Sequence, residues 1–188
     1  MGNREDLLAG ARRVIVERGV AKATARDIAA EAGVSLAAIG YHFGSKEALI
    51  TAALAESLSD GIGDGMEAVV GETAGMPLVD GFAALWNRMP EVFAENREAL
   101  IASLENTVRV LRDPEATSGL AAAVGEGYLG IAEQLRENRP ELSAADVDAI
   151  AKLDFALVQS LGILWLVDPE RLPSGDELAR AISAIAGE

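Results

Sequence analysis

Between Thr24 and Lys46 the chain reads TARDIAAEAGVSLAAIGYHFGSK, and its polar side chains suit the grip of a phosphate backbone. Thr24 and Arg26 open one short helix, where unpaired N–H donors and the helix dipole favour phosphate oxygens. Ser35, Leu36, Ala37, Ala38 and Tyr41 fall near the outward side of a second helix, predicted from about residue 36 to residue 43. Apart from Ser35 and Tyr41 these are apolar groups, which touch thymine methyls and give little hydrogen-bond readout. His42 and Lys46 follow, with Lys46 in the first turn of the next helix, within reach of a phosphate. Arg26 is the candidate for a base contact, because a guanidinium can pair with a base edge.

Other chemistry finds little to work with. His42 is the one histidine in the chain. A general base needs a nucleophile or carboxylate placed beside it, and none is near His42 in sequence. As a metal ligand it lacks partners at ligand spacing. There is no cysteine, which excludes disulfides and thiol redox sensing, and no phosphate-binding loop. The expectation is no catalytic residue, no metal site and no cofactor.

The residues between these groups position them. Thr24 suits a helix N-cap, with Asp27 three residues on, close to a capping box. Ala29 is small where a second helix crosses closely, and Gly33 falls where a tight turn needs positive φ. Ile28, Ala32, Val34 and Ile39 supply an inner apolar face. The pattern is a helix-turn-helix, whose second helix enters the major groove of double-stranded DNA. The plainer alternative is a helical hairpin whose polar residues are merely solvated.

The same stretch resembles the N-terminal signature of TetR-family transcriptional regulators. The resemblance rests on Ile28-Ala29-x-x-Ala32-Gly33-Val34-Ser35, then Tyr41-His42-Phe43-x-Ser45-Lys46, at the family's distance from the N-terminus. It covers about a quarter of the chain. The family commonly has an aromatic where this chain has Gly40; here Tyr41 comes one residue later and would reach the phosphate from another direction. The resemblance also implies that His42 contacts the DNA backbone and that the last two helices pair with their mates in a four-helix dimer interface.

The net charge of −14 looks hostile to DNA, but its distribution is uneven. Residues 1–46 hold seven Lys and Arg against five Asp and Glu, a balance of +2; the rest hold nine against 25, a balance of −16. Local field decides where a polyanion docks, so a mildly basic head and an acidic remainder are compatible with binding through one end. MGNREDLL lacks the apolar stretch of a signal peptide, and Leu161–Val167 is too short to cross a bilayer. The expectation is a soluble cytoplasmic protein without a membrane partner.

Apolar spacing predicts helices throughout, with no run of strand period. The first spans about residues 4–18, with Leu8, Ala11 and Ile15 inward and Gly19 ending it. Ser45 caps a long fourth helix, weakened at its far end by Gly61, Gly63 and Gly65, which would mark a hinge or fraying. A helix from about residue 78 to 95 contains Pro90, where a kink is expected. Asp113-Pro114 is a start signal for another. Ser143 and Ser174 cap the last two.

Six of the eight aromatics lie beyond residue 80, at spacings that also suit plain core. Together they would line a pocket between helices. The candidate ligand-binding residues are Trp86, Met89, Phe93, Leu104, Thr107, Tyr128 and Phe155, with Glu105, Asn106 and Asp154 as polar anchors that would favour a cationic or amine-bearing ligand. Leu153, Leu157, Leu161, Gly162 and Trp165, then Leu178 and Ile182, form the candidate dimer interface; a monomer whose core absorbs them is the alternative.

The expected protein is all-α. A three-helix helix-turn-helix DNA-binding domain over 1–46 precedes a helical effector-binding and dimerisation domain over 47–188. Palindromic DNA needs two reading heads about 34–36 Å apart, which a homodimer provides. The function expected is a repressor released from operator DNA by a small-molecule effector whose identity the sequence does not show. An activator or DNA-bound scaffold with a filled core is the rival, and a helical small-molecule enzyme a more distant one.

Overall fold

The computed structural model describes residues 3–112 and 117–187, and all the regular structure among them is helical. Ten α-helices run in order: α1 (Asn3–Arg18), α2 (Ala25–Glu31), α3 (Leu36–Phe43), α4 (Lys46–Leu58), α5 (Asp64–Glu72), α6 (Leu78–Glu95), α7 (Arg97–Leu111), α8 (Thr117–Asn138), α9 (Ala144–Val167) and α10 (Gly175–Ala186). The Asp113-Pro114 start signal lies outside the described residues. α6 runs through Pro90 as one helix.

The chain forms two compact units. One holds the N-terminal residues to Ser59 together with Glu98–Glu126; the other holds Asp60–Arg97 and Gly127–Glu188. The boundary expected at residue 46 thus differs from the structural one: α4 and most of α7 are part of the body that carries α1–α3. The reason is packing. Leu7, Leu8, Ile15, Ile28, Ile39, Leu49 and Ile50 share one apolar core, against which Ala102 of α7 also rests. Three helices of this size bury too little surface to stand alone.

The second unit is built on α6. α10 lies against it so closely that a Cβ on Gly175 would collide with the Ala83 carbonyl. The Gly175 N–H donates to Asn87 Oδ1 (2.8 Å), and Asn87 Nδ2 donates to Asp176 Oδ2 (3.2 Å). Ser174 and Glu177 complete a capping box at the start of α10. α8 and α9 pack through Ala132, Leu135, Val147 and Ala151.

The glycines after α4 lie in regular helix rather than frayed chain, and the two compact units divide between Ser59 and Asp60. Ser59–Gly63 is a π-helical turn, a form that widens a helix by one residue per turn. A side chain on Gly61 would run into Asn96, and one on Gly65 into Val92. These glycines are small because the end of α6 passes against them.

Candidate nucleic-acid interface and interior cavity

α2, the turn and α3 are set by local chemistry. Thr24 caps α2: its hydroxyl accepts from the Asp27 N–H (3.2 Å) and donates to Asp27 Oδ2 (2.6 Å). That hydroxyl, followed by the Arg18 guanidinium, holds the Asp27 carboxyl below its ordinary range. Gly33 takes φ 67°, a left-handed conformation that a Cβ disfavours, and so redirects the chain into α3. Ser45 then caps α4 by accepting from the Ala48 N–H (3.0 Å).

α3 therefore shows solvent a face of Leu36, Ala37, Gly40 and Tyr41, all exposed. Tyr41 is 87 % exposed, unusual for an aromatic in a packed protein, and its ring meets His42 edge-on at 4.9 Å. Thr24, Arg26 and Ser35 are exposed as well, and His42 is half-buried. Ala38 is a correction: it points inward with Ile39 into the core, and has no surface to offer a base edge. Lys46 is half-buried, its ammonium donating to the Ala23 carbonyl (3.3 Å) and pairing with Glu47 (3.4 Å). It braces the start of α2 rather than extending into solvent.

Behind this surface α7 fastens to the same unit by polar contacts that the sequence reading did not anticipate. Glu105 Oε1 accepts from the Ala21 N–H (3.2 Å). Asn106, 3 % exposed, donates to the Thr51 hydroxyl (3.1 Å) and accepts from Arg109 Nη2 (2.7 Å). Arg109 Nη1 also faces Glu47 Oε1 at 3.5 Å. Glu105 and Asn106, taken as polar anchors for a ligand, hold the helix-turn-helix unit together instead. Leu104 and Thr107 lie on the same helix, in the first unit, and do not line the cavity described next.

The second unit contains a cavity of about 150 Å³. Its walls are mainly apolar, from Phe82, Leu85, Leu135, Ile150 and Ile182, with the exposed Leu78, Val79 and Leu153 among the lining residues. None of the seven predicted ligand-binding residues lines it. Trp86, Met89 and Phe93 are core residues, each at most 2 % exposed. Tyr128 and Phe155 occupy each other, ring centroids 4.4 Å apart. Helical spacing showed which aromatics are inside but not which neighbours leave a gap. Leu153 and Ile182, both predicted for a dimer interface, are among the residues that line the cavity.

Three polar residues reach the cavity wall. Thr73 is satisfied, donating to the Val69 and Val70 carbonyls. Arg139, 7 % exposed, donates to the Met76 carbonyl (2.6 Å) and the Thr73 carbonyl (3.2 Å), closing the end of α5. Asp154, 3 % exposed, accepts from the Trp86 indole N–H at 3.3 Å. Burial pushes its carboxyl up to about 7, while the indole N–H pulls the other way.

Of the predicted interface residues, Leu161 and Gly162 are buried within the unit, and Leu157, Trp165, Leu178 and Ile182 are half-buried. Apolar side chains remain outside on the same helices: Ile163 and Val167 on α9, and Ile185, 87 % exposed, on α10. α9 is long and apolar enough by composition to cross a membrane, but it carries the buried Asp154 among its packed residues.

The comparisons with known proteins agree with this geometry. The family model for bacterial regulatory proteins of the tetR family matches residues 7–53, the stretch from α1 through most of α4. The HTH-type transcriptional regulator PksA of Bacillus subtilis (strain 168) is 26 % identical over 191 residues, covering 90 % of this chain and 81 % of PksA. Among solved structures, the multidrug binding protein EbrR in complex with imidazole shares the fold at a TM-score of 0.63 and 22 % identity, with 98 % of this chain and 94 % of EbrR covered. The TetR family repressor AlkX from Dietzia sp. strain DQ12-45-1b shares it at 0.66 and 15 % identity, with 97 % and 91 % covered.

Proposed function

We propose that this chain is a transcriptional regulator of the TetR family, a cytoplasmic homodimeric repressor which a small molecule releases from its operator. The outward face of α3 carries the reading. Leu36, Ala37, Gly40 and Tyr41 stand clear of the core that the inner face of the same helix completes. Arg26 and Thr24 stand beside them at the N-terminus of α2, where a phosphate finds donors.

The dimer rests on the apolar side chains left outside on α9 and α10, among them Ile163, Val167 and Ile185. Isolated exposed apolar residues are ordinary, but several on two successive helices suit a second copy of the same surface. The small-molecule step rests on the cavity of the second unit and on the precedent of EbrR, a multidrug binding protein with imidazole bound. A ligand acts by preferring one spacing of the two heads, and its differential affinity sets the loss of DNA binding, on the order of 1–3 kcal/mol for a typical coupling.

Selection of bound duplexes from a random pool at fixed salt tests this. The expected outcome is an inverted repeat with centres about one helical turn, or a multiple of it, apart. Affinity for the selected site should fall steeply with salt, at a log–log slope of roughly −0.9 per phosphate neutralised. A selected pool with no repeated half-site, or a cavity-binding molecule that leaves operator affinity untouched, counts against the dimeric switch.

A further inference from the structure

We infer that the cavity of the second unit selects a small apolar cation, a primary or aromatic amine of single-ring size, with the free oxygen of Asp154 as its acceptor. This rests on the reading of the cavity as an effector site and adds the chemical class of the effector.

Size comes first. A cavity of about 150 Å³ lined by Phe82, Leu85, Ile150 and Ile182 is the size and character that admits one benzene ring. Polar capacity comes second. Thr73 spends its hydroxyl on the Val69 and Val70 carbonyls, and Arg139 spends both Nη groups on the Met76 and Thr73 carbonyls. Asp154 differs. Trp86 Nε1 donates to Oδ1, and Oδ2 has no hydrogen-bond partner among the described residues. A carboxyl this buried keeps its proton unless a donor meets it, and the partner that best stabilises its charged form is a cationic N–H donor.

An anion is the obvious competitor, since Arg139 also lines the cavity. It would have to displace two carbonyls from the guanidinium, one of them at 2.6 Å, and then sit beside Asp154 in the same enclosure. The surrounding charge also opposes it. The second unit carries 18 Asp and Glu against seven Lys and Arg, a net of −11, so its field draws cations.

The test is calorimetric titration of the full chain with benzylamine, benzyl alcohol and benzoate, near neutral pH. Benzylamine should bind at least about tenfold more tightly than either of the others. In Asp154→Asn that preference should vanish while benzyl alcohol binds as before, which shows the cavity intact. Trp86→Phe, which leaves the carboxylate in place, should keep a preference for the amine. Benzoate binding best, equal binding of all three, or no saturable benzylamine binding up to about 10 mM, overturns the inference. Operator affinity is measured separately in each case. Amine binding that spares the operator overturns the switch and not the ligand class; operator release by benzyl alcohol and benzylamine at equal affinity does the reverse.

Discussion

The groups proposed to bind partners lie outside the core in one unit and inside it in the other. In the first, Arg26, Leu36 and Tyr41 stand in solvent, and the buried residues beneath them are nearly all aliphatic. In the second, the informative group is Asp154, at 3 % exposure on a cavity wall. The difference follows from what each must meet. A duplex is too large to enter a protein, so its contacts are exposed, and the core behind them serves as a rigid mount. A molecule of ring size gains most from being enclosed, so its partner groups are inside, where an unpaired charge costs stability.

The largest effect that would break this contrast belongs to Asp154. The carboxyl ionises near 3.8 as its ordinary value and near 7 in the folded chain. Between those values the folded state keeps a proton that the unfolded chain has lost, so stability falls as pH rises through this interval and is lowest above it. Asp154→Asn removes the titration. At about pH 8 the variant should exceed the parent by up to roughly 4 kcal/mol in denaturant titrations, with the gain shrinking towards pH 4. A variant less stable than the parent at alkaline pH would mean that Asp154 already has a counter-charge.

Arg26→Ala probes the outside of the first unit. It should cost about 1–3 kcal/mol on the selected operator and relax the preference at one base, with the fold unchanged. Equal weakening on specific and random DNA, read by fluorescence anisotropy, would make Arg26 a phosphate contact. Gly33→Ala forces a Cβ into the left-handed turn at φ 67°. A loss of about 1–2 kcal/mol in unfolding free energy is expected, with weaker operator binding as α3 loses its mount.

The smallest effect sharpens the contrast most. Gly40 lies in the middle of α3, exposed, and a Cβ built there meets nothing within 4 Å. The fold has no packing reason for glycine at this position. Gly40→Ala should therefore stabilise the chain by about 0.5–1 kcal/mol through helix propensity, seen as a raised melting temperature. No gain would mean that the position is constrained in a way the packing does not show.

Legibility differed between the units for the same reason. The helix-turn-helix was readable because its determinants are local: a cap at Thr24, a turn at Gly33 and inward residues a few positions apart. Ala38, expected on the outward face, turns inward, because alanine carries no polarity to show which face it takes. The cavity was not readable. Trp86 and Phe93 have the same spacing and character whether they line a void or fill a core, and only their neighbours decide. Glu105 and Asn106 show this from the other side, since they meet Ala21 and Thr51 across 84 and 55 residues of chain.

Residue order alone thus specified the all-helical class, the reading head and its caps, because helix periodicity and turn chemistry act within a few residues. Three-dimensional packing settled that α4 and most of α7 join the head, that the glycines after α4 admit the end of α6, and that Asp154 faces a void. Each of those depends on which distant side chains fill the space between helices, and volume is conserved by the assembled core rather than by any one segment.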